Sequence, residues 1–402
     1  MENKKIPNGW KKVKFGDVVS KVNDKVHNRN EWNFDRYIGG EHFENGEIRI
    51  TRSNPIKGNE EVIGSAFHSR FKPGHVLYVT RNPRLRKGGM VDFEGVCSNV
   101  SFIIQADETQ LLQSLLPFII QTEDFVMHTC NNAHGSTNPF LNWKDIAKYE
   151  FLLPPLEEQK KISEILWNIE NSLKTTEQLR KKLRKLKKVI LRKLFNEDEK
   201  NDFENVEFQE ICSEKPRNGL YKSKEYHGRG THMINMGEMF AYGFMYNPSM
   251  AKIELNDKEK ENFLVKENDL LFARRSLVIE GAGKCCLVKG DDERTFESSI
   301  IRVRPDKKKI NSEYLYYYFN SRVGRKKIER IIRVVAVAGI TGTDLMKVKI
   351  NIPKDLSVQE DIVSKIKLMD HQINSLKKEY FSGKNLRNKL SNELLLGSLR
   401  LK

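Results

Sequence analysis

The sequence predicts a mixed α+β chain built twice over. Two similar domains with small β-rich sheets are separated by two long helices packed as an antiparallel coiled coil, and the whole forms a pseudo-twofold internal repeat. Three observations lead to this reading. Motifs return after about 200 of the 402 residues. Two stretches, each following a proline, carry apolar residues at heptad steps. Elsewhere short apolar runs are bounded by turn residues, as small strands are. The predicted division is 1–153 for the first β-rich domain, 154–200 for the first helical region, 201–352 for the second β-rich domain and 353–402 for the second helical region.

The repeat can be followed landmark by landmark. Val13-Lys14-Phe15 returns as Val206-Glu207-Phe208. The run Phe71 to Arg81 returns as Val265 to Arg275, each a turn signal, an apolar strand and then arginine. Ser98-Asn99-Val100 matches Ser298-Ser299-Ile300, and the helical Leu115 to Ile120 matches Tyr314 to Phe319. Phe151 to Pro154 matches Asn351-Ile352-Pro353. A period this long is a duplicated domain, not a solenoid unit. Two similar readers suit a ligand that offers two similar faces, as a duplex with two half-sites does.

The first helix begins after Pro154-Pro155, with Glu157 and Glu158 at the positive end of its dipole. Its seam reads Ile162, Leu166, Ile169, Leu173, then Leu179, Leu183, Leu186, Ile190 and Leu194, with a slip near Thr176 that resembles a stammer. The second helix follows Pro353 with Ile362, Ile366, Met369, Ile373, Leu376 and Tyr380. Gly383 predicts a bend or break, after which Leu386, Leu390 and Leu394 continue the pattern. The basic stretch Arg180 to Lys188 fits a solvated face, a contact to DNA phosphates or a contact to a partner.

A formal net charge of +16 favours a polyanionic partner, nucleic acid being the commonest. Five cysteines without a C-x-x-C pair predict reduced thiols. No apolar run approaches the ~20 residues that span a bilayer, so a soluble cytoplasmic chain with no membrane partner is expected.

The run Leu153-Pro154-Pro155-Leu156-Glu157-Glu158-Gln159-Lys160-Lys161-Ile162 resembles the start of the central conserved region in specificity subunits of type I restriction-modification systems. The opening Gly9-Trp10-Lys11-Lys12-Val13-Lys14-Phe15-Gly16-Asp17 is similar to the start of their first target-recognition domain. The likeness covers the chain in order, although Pro353-Lys354-Asp355-Leu356-Ser357-Val358-Gln359 departs from the first helix start while keeping its glutamine. The resemblance implies a non-catalytic subunit that reads a bipartite, asymmetric site in double-stranded DNA. It implies two methyltransferase subunits as partners, and restriction subunits in the full complex. That complex would methylate adenine N6 with S-adenosylmethionine and restrict DNA with ATP and Mg2+, this chain binding no cofactor.

The residues themselves carry no such chemistry. Asn138-Pro139-Phe140 lacks the second proline of an adenine methyltransferase loop. Gly281-Ala282-Gly283-Lys284 lacks the first glycine and the hydroxyl residue of a phosphate loop, and reads as a hairpin or DNA-facing turn. Reading bases requires side chains that reach their edges beside cations that hold phosphates. The best cluster in the first half is Arg81, Asn82, Arg84, Arg86 and Lys87, and its counterpart is Arg274 and Arg275. A second patch holds Arg217, Lys222, Lys224 and Arg229, with the basic Lys21 to Arg29 as its counterpart. A stand-alone regulator would reach two readers by dimerising, and a coiled-coil scaffold would leave the matched arginine loops unexplained.

Overall fold

The computed structural model of the chain describes residues 6–195, 202–245 and 250–401. The expected boundary at 200/201 lies outside the described residues. The chain forms two compact units, Met1–Gln178 with Leu376–Lys402, and Leu179–Ser375. Each unit holds one β-rich domain and a stretch of both long helices.

In the first unit Lys11–Lys14 pairs antiparallel with Glu150–Leu153, Val13 opposite Phe151. This clasp delivers the end of the domain to the prolines before the helix. The main sheet has five strands in the order Val19–Lys21, Ser101–Ala106, Val76–Val79, Gly88–Val91, Arg49–Ile50. Val76–Val79 is apolar throughout because both its faces are covered, and every residue in it is buried. Phe15, Val76, Tyr78, Phe118 and Phe125 form the core with Ile162 and Leu166 of the first helix and Leu394 of the second.

The second unit repeats this plan. Phe203–Glu207 pairs with Lys349–Pro353, Val206 opposite Ile350. The five-stranded order is Arg217–Asn218, Ile300–Val303, Leu270–Ala273, Cys285–Val288, Phe244–Met245. Leu270–Ala273 occupies the place of Val76–Val79, and the fifth strand runs parallel to the fourth in both sheets. Phe208, Phe272, Tyr314 and Tyr318 form a core with Ile362 and Ile366, against which Leu191 and Leu194 pack.

One glutamine per unit joins domain to helix. Gln159 is fully buried, accepts from Leu112 N at 2.9 Å and donates to Gln110 O and Pro154 O. Gln359 is equally buried, accepts from Asn311 N at 2.8 Å and donates to Pro353 O. The divergent second helix start is therefore pinned in the same way as the first.

The long helices run unbroken over Leu156–Leu194 and Leu356–Leu395. In each unit they pack antiparallel. Glu170 pairs with Arg387 at 2.5 Å and Thr176 meets Glu379 in the first unit, while Lys187 pairs with Asp370 at 2.5 Å in the second. The inward positions correct two sequence readings. The buried or half-buried row is 162, 166, 169, 173, 176, 180, 183, 187, 190 and 194, a heptad without a stammer. Leu179 and Leu186, expected in the seam, are 46% and 50% exposed, and Arg180 and Lys187 take the inward places. In the second helix Leu386 is 54% exposed and Arg387 turns inward at 3%. Long cationic side chains can fill a seam with their methylene stems when an acid meets the head. Ile162, Leu166, Leu173, Ile362, Ile366 and Ile373 are buried, and Ile169, Leu183, Met369 and Leu376 are partly so.

Gly383 does not end its helix, which runs on to Leu395. It faces the seam, where a Cβ would fall 2.7 Å from Leu173 Cδ2. The glycine makes room for that leucine. The second row is therefore 362, 366, 369, 373, 376, 380, 383, 387, 390 and 394, each 200 positions after its equivalent in the first helix. Even the ion pairs repeat, since Glu170 corresponds to Asp370 and Lys187 to Arg387.

Candidate nucleic-acid interface

Past the central strand of the first sheet the chain leaves through Thr80 and Arg81 and turns tightly at Pro83–Leu85. Asn82 and Arg86 bracket that turn with φ of 50° and 52°, left-handed values that non-glycine residues seldom adopt. A distant loop, His134 to Phe140, closes over it. Arg81 bridges Phe140 in strand-like register, and Phe140 bridges His134. Asn82 N donates to Pro139 O at 2.8 Å and its side-chain amide donates to Asn138 Oδ1 at 2.9 Å. The Arg81 guanidinium lies 5.3 Å from the Phe140 ring centroid.

The second domain builds the same corner. Arg275 pairs with Gly339, and Gly339 pairs with Arg333, within a small sheet ordered Arg275–Ser276, Ala338–Gly339, Arg333–Val334. Leu141 N donates to Thr80 O in one corner and Ile340 N to Arg274 O in the other, both at 3.0 Å. Arg81 and Arg275 are therefore structural equivalents, as are His134 and Arg333. Each of the latter is tied to a helix carboxylate, His134 to Asp145 at 2.9 Å and Arg333 to Asp344 at 2.8 Å. Burial pushes the Asp145 carboxyl up, but hydrogen bonds from Asn142 and His134 outweigh it and hold the group below the usual aspartate range.

The candidate residues play different parts. Arg81, Arg84 and Arg275 are exposed, and Asn82 is half-buried. Arg86 makes a bidentate pair with Glu123, and Lys87 donates to Gly40 O at 2.9 Å. Both cations thus brace the turn. Arg274 donates to Ser298 O, the role that the Thr80 hydroxyl fills toward Val100 O.

In the second patch Arg217 and Lys224 are exposed. Lys222 is half-buried, 2.6 Å from Glu259, and also donates to Glu254 O. Arg229, though exposed, makes a bidentate pair with Glu254. These two cations fasten their own loop. In the counterpart patch Lys25 donates to Ser69 Oγ and Arg29 to the carbonyls of Glu60 and Ile63. On the first helix Lys181, Lys182, Arg184, Lys185 and Lys188 are exposed.

Sequence reading missed the loops 134–140 and 333–339 that complete the two corners. They lie more than fifty residues from the arginines they meet. The available signal was their matched place in the repeat, each just ahead of a short helix, Trp143–Ala147 and Gly342–Met346. Asn138-Pro139-Phe140 belongs to one such loop. Gly281 to Lys284 leads into the strand Cys285–Val288, with Gly283 at φ 65°. Among the described residues no cluster of His, Cys, Asp or Glu could hold a metal, no helix is long and apolar enough to cross a membrane, and the cysteines are free.

Comparison with known proteins places this architecture. The type I restriction modification DNA specificity domain matches twice, over residues 7–185 and 200–380. The type I restriction enzyme MjaVIII specificity subunit of Methanocaldococcus jannaschii is 25% identical over 283 residues, covering 67% of this chain and 66% of that protein. The EcoKI specificity subunit of Escherichia coli K12 is 23% identical over 265 residues, covering 62% and 56%. The match thus spans a little under two thirds of the first relative and less of the second. Among solved structures, a chain from a study of complex assembly and conformational transition in the type I R-M system superposes with a TM-score of 0.63 at 17% identity, covering 98% of this chain and all of that one. The type I restriction-modification S subunit of M. genitalium gives 0.59 at 14% identity, with 98% of both chains covered. These structural likenesses carry the fold, and the duplicated domain match carries the assignment: the chain belongs to the type I restriction modification DNA specificity family.

Proposed function

We propose that this chain is the sequence-specific DNA-recognition subunit of a type I restriction-modification complex. It reads a bipartite, asymmetric site in double-stranded DNA and directs adenine-N6 methylation and DNA restriction by partner subunits, without catalytic chemistry of its own. The observation that carries the reading is the pair of equivalent corners, each presenting an exposed arginine, Arg81 or Arg275, at the same place in a duplicated fold. Two covalently linked readers with different side chains suit two half-sites of different sequence.

Arg81, Asn82 and Arg84 read one half-site, and Arg275 with its neighbour Arg274 serves the other. Arginine pairs bidentately with guanine and asparagine with adenine. Arg217 and Lys224 hold phosphates, while Arg86 and Lys87 keep the first turn in shape. Residues 1–153 and 201–352 are the target-recognition domains, and 154–200 and 353–402 are the conserved helical regions. Two methyltransferase subunits, and restriction subunits in the full complex, are the protein partners. S-adenosylmethionine, ATP and Mg2+ belong to those partners, and the assembly works in the cytoplasm.

The test is to map modified adenines in host DNA with and without this gene. Loss of one bipartite motif on deletion, and its return on complementation, is the expected result. An unchanged methylation pattern overturns the reading.

A further inference from the structure

The two corners share a backbone path but differ in chemistry. Around Arg81 the neighbouring side chains are Asn82, Arg84, Ser136, Thr137 and Asn138. Around Arg275 stand Ser276, Leu277, Val278, Val335, Ala336 and Val337, with Leu277 at the place of the buried Pro83. Leu277 is 91% exposed and Val335 94%. Val278, Ile279 and Val334 are each more than half exposed. A group of large apolar side chains this open marks a contact surface.

The strand register arranges them. Ser276 and Val334 both face Ala338, so Leu277 and Val335 run off the same end of the small sheet on either side of Val337. Leu277 and Val335 stand in the bends two residues beyond Arg275 and Arg333, and Val337 in the bend that turns back into Ala338–Gly339. Both arginines are exposed, Arg333 while paired with Asp344.

We propose that this second corner reads thymine. Leu277 and Val335 contact the C5-methyl groups of thymines in one half-site, with Arg275 beside them as the cation. The inference rests on the reading of the chain as a DNA-binding subunit. Two arguments favour duplex DNA as the occupant. The apolar tip directly follows the strands that carry Arg275 and Arg333, on a chain of net charge +16. It is also only about six side chains wide, whereas a stable protein interface uses roughly 20–30 residues a side. The thymine methyl is the apolar group that the major groove displays, and it takes apolar side chains. The first corner, where amide, hydroxyl and guanidinium groups surround the exposed ring of Phe140, selects its half-site mainly by hydrogen bonds instead.

The experiment uses the complex of this chain with its methyltransferase partners and synthetic duplexes of the mapped motif. Deoxyuridine replaces thymidine in one half-site at a time, which removes the methyl and keeps the base pair. Specific binding falls about fourfold per contacted methyl, the worth of one buried CH2-sized group, in one half only. The double variant Leu277→Ser, Val335→Ser binds thymine and uracil duplexes alike, and folds because both side chains lie outside the core. Equal binding of both duplexes by the unaltered complex overturns the proposal, as does uracil sensitivity that persists in the variant. Loss of subunit assembly in the variant with DNA discrimination intact also overturns it, in favour of a protein partner. A complex with no sequence preference for any duplex overturns the DNA-recognition reading itself.

Discussion

The two arginine corners have nearly the same hydrogen-bonded frame and different surfaces. Thr80 and Arg274 receive the same backbone bond, Arg81 and Arg275 pair with the same kind of returning loop, and His134 and Arg333 are tied to equivalent aspartates. What differs is what faces outward: amides, hydroxyls and arginines around the ring of Phe140 in one corner, leucine and valine beside an arginine in the other. The frame is held by backbone hydrogen bonds and buried strands, so its outward side chains are free to differ without cost to the fold. A duplicated domain can thus keep one architecture and acquire two specificities.

The same contrast between shared frame and differing environment can be broken at several points. The largest effect is expected in the helix seam. Arg387 and Glu170 are 4% and 14% exposed, whereas their equivalents Lys187 and Asp370 are 20% and 33% exposed. Arg387→Met strands a half-buried carboxylate and should cost about 3 kcal/mol, the low end for a broken buried pair. Lys187→Met should cost about 1 kcal/mol. Urea unfolding of the two variants measures this, and equal losses would mean that the two ends of the seam are equally desolvated.

Next come the corners themselves. Arg81→Ala and Arg275→Ala should each lower specific affinity by about 1–3 kcal/mol, but at different half-sites. Competition binding against duplexes altered in one half reads this, and relaxation of the same half by both variants would end the comparison. A smaller difference is pH-dependent. The Asp145 carboxyl is held below its ordinary range in the folded state. Its contribution is complete above the unfolded value near ~4 and is lost as pH falls through the lower folded value. Asp145→Asn should therefore flatten the acid limb of the first domain's stability curve, measured by acid titration of its fluorescence. The smallest effect belongs to Lys224→Ala, which should reduce the slope of log affinity against log salt by about 0.9 and leave base preference unchanged.

Much of this was legible in the sequence because the repeat is. The matches of Phe15 with Phe208 and of Val76–Val79 with Leu270–Ala273 are landmarks of buried strands and core aromatics, which vary little in character when a fold is copied. The Gln159 and Gln359 equivalence was also visible, although its purpose as a clip between helix and domain was not. The seam register departs from the leucine pattern because the inward row is set by helix geometry and not by leucine content. Leu179, Leu186 and Leu386 look like seam residues, yet the inward places belong to Arg180, Lys187 and Arg387. Arg387 and Lys187 meet acids on the facing helix, a pairing that a single-helix pattern does not display. The acids that meet Lys222 and Arg229, Glu259 and Glu254, come some thirty residues later, so these pairs do not show in the basic patch itself. The loops that complete the corners were missed for the same reason: they meet their arginines only through the fold.

The turn at Pro83–Leu85 has a kinetic consequence. Asn82 and Arg86 already occupy left-handed backbone wells, and Arg86, Lys87 and Asn82 are all bonded to neighbouring segments before any ligand arrives. Such strain costs of order 1–3 kcal/mol per residue and is met during folding. In the proposed DNA complex the loop therefore gives up little conformational freedom on docking. Encounter is governed by diffusion and charge, so wrong sequences are approached as quickly as right ones. For this half of the molecule, selectivity should reside in how long each complex lasts.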